Sequence, residues 1–136
     1  MMYLLDTDVL SNLMKRVPAG ALVARLARVA PEEQFTSSVT LGELLYGARR
    51  SARAVVLLER IEAVIPVDLP VLPFDAAAAR RYGEIRATLE GGGTPIGDAD
   101  TRIAAIALTH GLKVVTGNER YFRWVPGLEV ENWLEG

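Results

Sequence analysis

Short apolar runs along this chain predict strands, and segments with helical periodicity separate them. Strands are predicted at residues 2–5, 34–38, 64–67, 113–116 and 128–130. The segment 64–67 is expected at the edge of a sheet, because Pro66 cannot donate to a central ladder. Strands that alternate with helices indicate an α/β fold with a mostly parallel sheet.

Apolar residues spaced by three and four predict the helices between these strands. The clearest helix follows a capping Asp75 and places Ala78, Tyr82, Ile85 and Leu89 on one face. Further helices are predicted at residues 8–14, 22–29, 41–48, 55–62 and 99–110. The glycine-rich segment 91–95 is interpreted as a loop within the domain, so we expect a single domain over residues 1–136.

Carboxylates stand at the edges of three apolar segments. Asp6 follows the first predicted strand, Glu43 lies inside an apolar helical stretch, and Asp98 and Asp100 precede another. Buried carboxylates need hydrogen-bond donors or a cation, and several that converge would form a site for a hard metal ion. Asp6 and Thr116 both fall at carboxyl ends of predicted strands, where ligands bind in parallel sheets.

Asp6 and Glu43 each have a structural interpretation as well, because acids near the start of a helix often cap it. Asp8 fits the N-cap of the first helix better than Asp6 does, which leaves Asp6 available for a metal. Thr40 and Glu43 have the spacing of a capping box, in which the Glu43 side chain would bond to the N-cap amide. The sequence alone leaves the capping and functional roles of Glu43 open.

The last two segments offer further polar groups. Asp98 is a natural N-cap of the helix that follows it, whereas Asp100 is expected on the side of that helix that faces the sheet. The run Thr116-Gly117-Asn118 is an ordinary turn signature. The Thr116 hydroxyl could nevertheless bond to a neighbouring carboxylate, and Asn118 could offer an oxygen to a metal-bound water.

Composition and charge narrow the chemistry. The chain has no cysteine, which excludes disulfides and thiolate ligands, and its single histidine, His110, is better explained as a cation at a helix C-terminus. All-oxygen ligands favour Mg²⁺ or Mn²⁺ over zinc. The net charge of −2 argues at first against a nucleic-acid partner, but basic residues outnumber acidic ones outside the four carboxylates described above. No apolar run is long enough to span a bilayer, so we expect a soluble, cytoplasmic protein.

Five motifs in order resemble PIN-domain ribonucleases of the VapC toxin type. They lie at residues 4–11, 40–44, 95–105, 115–118 and 125–128. The resemblance implies a three-layer α/β/α sandwich with a mostly parallel central sheet. It also implies an endoribonuclease that uses Mg²⁺ or Mn²⁺, forms a homodimer and is inhibited by a VapB-like antitoxin.

The resemblance also implies roles for individual residues. Asp6 and Asp100 occupy positions of metal ligands, and Glu43 would bind a second metal ion or hold a metal-bound water. Asp98 is an additional acid that many relatives have nearby. Asn118 stands where many relatives have Asp, so its implied role is to orient water.

An alternative function is a non-catalytic PIN-like module that binds RNA or forms complexes. The set of acids argues against it, since carboxylates that repel phosphate serve no purpose in a module that only binds RNA. Arg49, Arg50 and Arg53 follow the Glu43 helix and could contact RNA phosphates, although a solvated helix face explains them equally well.

Overall fold

Residues 1–135, which the computed structural model describes, contain one sheet of five short parallel strands. The strands are β1 (Tyr3–Leu5), β2 (Gln34–Ser37), β3 (Val71–Leu72), β4 (Lys113–Val115) and β5 (Val130–Glu131). Their order in the sheet is β3-β2-β1-β4-β5. The chain therefore forms β2 and β3 on one side of β1 and then crosses back to add β4 and β5 on the other side. Parallel sheets bind ligands beyond the carboxyl ends of their strands at such a switch point.

Seven α-helices within the same residues cover both faces of the sheet. They are α1 (Thr7–Leu13), α2 (Gly20–Leu26), α3 (Ser38–Arg49), α4 (Ala54–Val64), α5 (Ala76–Gly91), α6 (Asp98–His110) and α7 (Glu119–Phe122), with a 3₁₀ turn at Pro31–Glu33. Tyr3, Leu5 and Val115 pack with buried residues of α1 to α4, whereas Leu4 and Val114 pack with those of α5 to α7. Alternate strand residues thus pack into two hydrophobic cores, one on each face of the sheet. The expected three-layer α/β/α fold is confirmed.

The strand predicted at 64–67 is wrong. Helix α4 continues into this segment, and Pro66 opens a turn in which its carbonyl accepts the Leu69 N–H at 2.9 Å. The edge strand is β3 instead. It follows Pro70, whose carbonyl accepts the Thr36 N–H of the neighbouring strand at 3.0 Å.

Smaller differences concern the end of the chain. The last strand is β5, which begins at Val130 rather than at residue 128, and α7 follows the predicted turn at 116–118 in a segment for which the sequence predicted no element. Among residues 1–135, no helix combines the length and apolar character needed to cross a membrane.

Candidate active site

Asp6 lies at the switch point of the sheet, directly after β1. Its backbone N–H donates to the Val115 carbonyl at 3.1 Å, which joins the ends of the two central strands. Its carboxylate is only 2% exposed and accepts the Val9 N–H at 3.0 Å, and so it caps α1. The prediction that Asp8 is the cap is therefore wrong, since Asp8 already lies inside the helix.

Burial raises the pKa of Asp6 to about 7, and the negative charges of Asp8 and Asp100 add to this rise. Hydrogen bonds from the Thr116 hydroxyl and the Val9 N–H act in the opposite direction but do not offset the loss of hydration. An ionised Asp6 is thus unfavourable in the protein alone. A cation beside it would remove that penalty.

Asp100 lies in the first turn of α6, where a carboxylate interacts favourably with the helix dipole. Its Oδ2 accepts the Asn118 side-chain N–H at 3.0 Å. Burial raises the pKa of Asp100, as do the charges of Asp8 and Glu43, whereas the Asn118 hydrogen bond lowers it.

The turn after β4 connects the two acids. Thr116 is fully buried, its hydroxyl bonds to Asp6, and its Oγ1 accepts the Asn118 backbone N–H at 2.8 Å. The Asn118 side chain then reaches Asp100. One short turn therefore contacts the carboxylate that follows β1 and a carboxylate of α6.

Glu43 reaches the same region from α3, and its capping-box interpretation is wrong. The N-cap of α3 is Ser37, whose side chain accepts the Thr40 N–H at 3.1 Å. Glu43 instead accepts the Thr7 hydroxyl through Oε1 at 2.6 Å. Because Thr7 follows Asp6 directly, the first turn of α1 positions the Glu43 carboxylate as well.

Asp8 is a member of this group that the sequence analysis assigned to another role. It is exposed, and its Oδ2 lies 3.6 Å from the position that a Cβ at Gly117 would take. Its charge raises the pKa of both Asp6 and Asp100. The signal was present in the sequence, since an acid two residues after the strand-end acid lies in the first turn of the next helix.

Asp98 is the candidate acid that the structure does not bring to the others. The N-cap of α6 is Gly97, so the prediction that Asp98 caps this helix is wrong. Its carboxylate accepts the Tyr82 hydroxyl through one oxygen and the Arg102 Nε through the other, the latter at 2.9 Å. These two contacts, the Tyr82 bond above all, hold the pKa of Asp98 below its usual range.

Asp6, Asp8, Glu43 and Asp100 form a set of carboxylates linked by their mutual electrostatic effects. No three His, Cys, Asp or Glu side chains within residues 1–135 are close enough to enclose an ion by themselves. The donors are all oxygens, and Mg²⁺ commonly takes one or two carboxylates and keeps several waters. The set, with its buried and unfavourably ionised Asp6, therefore fits a hard divalent cation of this kind.

A cleft of about 340 Å³ opens beside this group, between α1, α3 and α4. Thr7 and Glu43 line it, together with the cationic Lys15 and Arg60. The carboxylates are thus open to a ligand on the Glu43 side, and the two cations favour an anionic one.

A family model and several curated proteins are similar to this chain over most of its length. A family model described as a PIN domain matches residues 3–128. The chain is 40% identical to the tRNA(fMet)-specific endonuclease VapC of Shigella flexneri over 96% of this chain and 97% of that protein. It is 36% identical to ribonuclease VapC2 of Haemophilus influenzae, with 97% and 98% of the two chains covered.

Solved structures resemble the fold equally closely. DNA-bound VapBC from Salmonella typhimurium superposes with a TM-score of 0.89 and 38% identity, over 98% of each chain. FitAcB from Neisseria gonorrhoeae superposes with a TM-score of 0.89 and 33% identity, over 99% of this chain and all of that one (100%).

Proposed function

The chain belongs to the PIN-domain family, and we propose that it is a metal-dependent endoribonuclease, the toxin of a VapBC-type toxin–antitoxin pair. The observation that carries the proposal is the linked set of carboxylates at the switch point of the sheet, which includes the buried Asp6. Divalent-metal dependence is general among PIN-domain nucleases. The all-oxygen donor set supports Mg²⁺ or Mn²⁺ as the ion.

Each residue of the site has a distinct task in this proposal. Asp6 and Asp100 hold the cation, and Glu43 holds a second cation or a water at the open side of the site. When bound, a divalent cation lowers the pKa of a water and offsets charge on a phosphodiester.

Hydrogen-bonding residues keep these acids in place. Thr116 and Thr7 donate to Asp6 and Glu43, respectively. Asn118 uses its N–H to hold Asp100, which leaves its amide oxygen to orient a water. Such supporting contacts commonly affect metal affinity or activity by tenfold to a hundredfold.

Contacts to RNA are proposed for exposed arginines near the site. Tyr46 lies one helical turn beyond Glu43, and the Arg50 guanidinium lies 5.4 Å from the centre of its ring. Arg49 and Arg53 are exposed nearby. Lys15 and Arg60 add positive charge in the cleft. These cations offset the repulsion between phosphate and the acids before a metal ion binds.

The comparisons also suggest a first substrate and a partner. The Shigella relative is named for tRNA(fMet), so this tRNA is the first RNA to test. The Salmonella neighbour is a VapBC complex, which supports a VapB-like antitoxin as the partner of this chain. A homodimer that acts in the cytoplasm, where its RNA substrates are, completes the proposal.

Cleavage of RNA in vitro tests the proposed activity. We expect the protein to cut tRNA or total RNA when Mg²⁺ or Mn²⁺ is present and to stop when EDTA is added. Asp100→Asn should abolish cleavage while the protein stays folded. Asp75→Asn is the matched control, since Asp75 caps α5 outside the site and Asn caps helices equally well.

Two results would contradict this proposal. Full cleavage by the Asp100→Asn protein would refute the role of Asp100 in the site, and an unmodified protein that binds Mn²⁺ but cuts no RNA would refute the activity itself. The second result would favour a non-catalytic module.

A further inference from the structure

Helix α7 and the turn that follows it carry two large aromatic side chains that are exposed, Tyr121 and Trp124. Asn118, the residue that bonds to Asp100, is the N-cap of this helix. Tyr121 follows three residues later, so its backbone lies about one helical turn, roughly 5 Å, from a residue of the site. The rings of Tyr121 and Trp124 meet edge to face with 5.1 Å between their centroids.

These two rings belong to neither of the two hydrophobic cores. The inner side of α7 and the turn that follows it are formed by Phe122 and Val125, which are 0% and 2% exposed. Tyr121 and Trp124 remain 38% and 37% exposed although they pack against each other. Large aromatic groups left at the surface in a cluster commonly mark a binding site.

The charges around the rings favour an anionic ligand. The Arg120 guanidinium lies 5.5 Å from the centre of the Tyr121 ring. Arg123, the C-cap of this helix, is exposed and pairs with Glu119 at 2.8 Å. Aromatic rings with adjacent arginines are the combination by which proteins bind single-stranded nucleic acid: bases stack on the rings and cations meet the phosphates.

We propose that Tyr121, Trp124 and Arg120 form an aromatic platform that stacks an unpaired base of the RNA next to the scissile phosphate. This inference rests on the proposed RNA substrate and adds to it a position and a ligand class, a nucleobase in a single-stranded segment. Stacking tolerates any base, because every base has a π face. The platform therefore selects unpaired RNA rather than a particular sequence.

RNA binding by a protein that cannot cleave tests the platform. The parent is Asp100→Asn, and the probe is a labelled single-stranded RNA of mixed sequence and about 12 nucleotides, within the range of known single-strand sites. We expect Tyr121→Ala and Trp124→Ala each to weaken binding about 5-fold to 100-fold, in line with the loss of one stacked base. Tyr121→Phe and Trp124→Phe keep a ring and should bind within about twofold of the parent.

Tryptophan fluorescence gives a second measurement that does not depend on a truncated variant. The chain has two tryptophans, and Trp133 is buried at 3% exposure, so quenching by RNA should come from Trp124. We expect RNA to quench the parent and to leave the Trp124→Phe protein unquenched.

Several outcomes overturn the platform. They are unchanged RNA affinity in folded Ala variants, absence of quenching in a parent that binds RNA, and Phe variants as weak as the Ala variants. Loss of self-association with unchanged RNA binding would identify the rings as a protein interface instead.

Cleavage by the wild-type protein is measured in parallel. Cleavage without quenching overturns the platform alone, whereas RNA binding without cleavage overturns the proposed function alone. Absence of both cleavage and RNA binding overturns both.

Discussion

At the scale of single residues, the burial of Asp6 makes its own contribution to how the stability of the protein depends on pH. Burial raises the pKa of this carboxyl from 3.8 to about 7. Between these values Asp6 binds more protons in the folded chain than in the unfolded chain, so its contribution to the free energy of unfolding falls as pH rises. This effect is specific to the metal-free protein, because a bound cation favours the ionised form.

Asp6→Asn should remove this dependence. We expect the metal-free variant to be more stable than the wild type at pH 8, by on the order of a few kcal/mol, and the difference to shrink towards pH 4. Urea denaturation in EDTA at several pH values measures it. A stability difference that does not change with pH would contradict the buried, protonated Asp6.

Thr7 provides a test of how Glu43 is held. Thr7→Val removes the hydroxyl that donates to Glu43 at 2.6 Å, and we expect RNA cleavage to fall about tenfold to a hundredfold. Thr7→Ser retains the hydroxyl and should keep most of the activity. Equal activity of the two variants would show that this hydrogen bond does not matter.

Asp8 should contribute to cation binding through its charge. We expect Asp8→Asn to weaken Mn²⁺ binding several-fold, since a charge near Asp6 and Asp100 is lost. Glu84→Gln, on the exposed face of α5, makes the same change in net charge away from the site. Calorimetric titration of both variants decides whether the effect is local or general.

Sequence reasoning identified Asp6, Glu43 and Asp100 as the acids to examine, and the structure brings all three to one region. It misassigned the caps, because Asp6 itself satisfies the helix N–H that was given to Asp8. Whether an acid near a helix start is a cap or a ligand depends on which N–H its oxygen meets. That geometry is decided by the local backbone and is not visible in residue spacing.

At the scale of elements, the turn between β4 and α7 is the part that connects the acids. Its middle residue, Gly117, has no room for a side chain, because a Cβ there would lie 2.7 Å from Leu134 Cδ1. Glycine is needed here for space rather than for an unusual backbone angle. The turn can therefore bring Thr116 and Asn118 to their carboxylates while the C-terminal segment packs over it.

Gly117→Ala should disturb this packing. We expect a loss of stability of about 1 kcal/mol, since the end of a flexible Leu side chain can move, together with reduced cleavage. Leu134→Ala should relieve the clash, so that the double variant is more stable than the sum of the two single changes predicts. Additive effects measured by thermal denaturation would show that the clash is not the cause.

The elements also differ in how well the sequence predicted them. Helix α5 was clear because Asp75 caps it and four apolar residues repeat along one face. The edge strand was missed because β3 has two residues and is defined by pairing with β2, which no local pattern reveals. Helix α7 has four residues, too few for a period to appear.

At the scale of the whole molecule, the sheet topology assembles the proposed cation site. Asp6, Glu43 and Asp100 are far apart in the sequence, and they meet because β1 lies between β2, which leads into the Glu43 helix, and β4. The sequence predicted a parallel sheet and therefore one shared edge. It did not predict the order of the strands, which depends on packing between distant segments.

A cation that binds this assembled site but not the unfolded chain should stabilise the fold by mass action. Removal of an acid that forms the site should reduce this stabilisation. Removal of Asp98 should not, because Asp98 is held by Tyr82 and Arg102 on the α5 side. A measurement of metal binding therefore tests whether the acids form one site, and it does not require the RNA substrate to be known.

The most direct test of the account is a titration of Mn²⁺ into the folded protein, with the free ion followed by electron paramagnetic resonance. We predict that the wild-type, Asp98→Asn and Asp75→Asn proteins bind Mn²⁺ alike, and that Asp6→Asn and Asp100→Asn lose this binding while remaining folded. Undiminished binding by folded Asp6→Asn and Asp100→Asn proteins would contradict the central claim that these acids form one cation site.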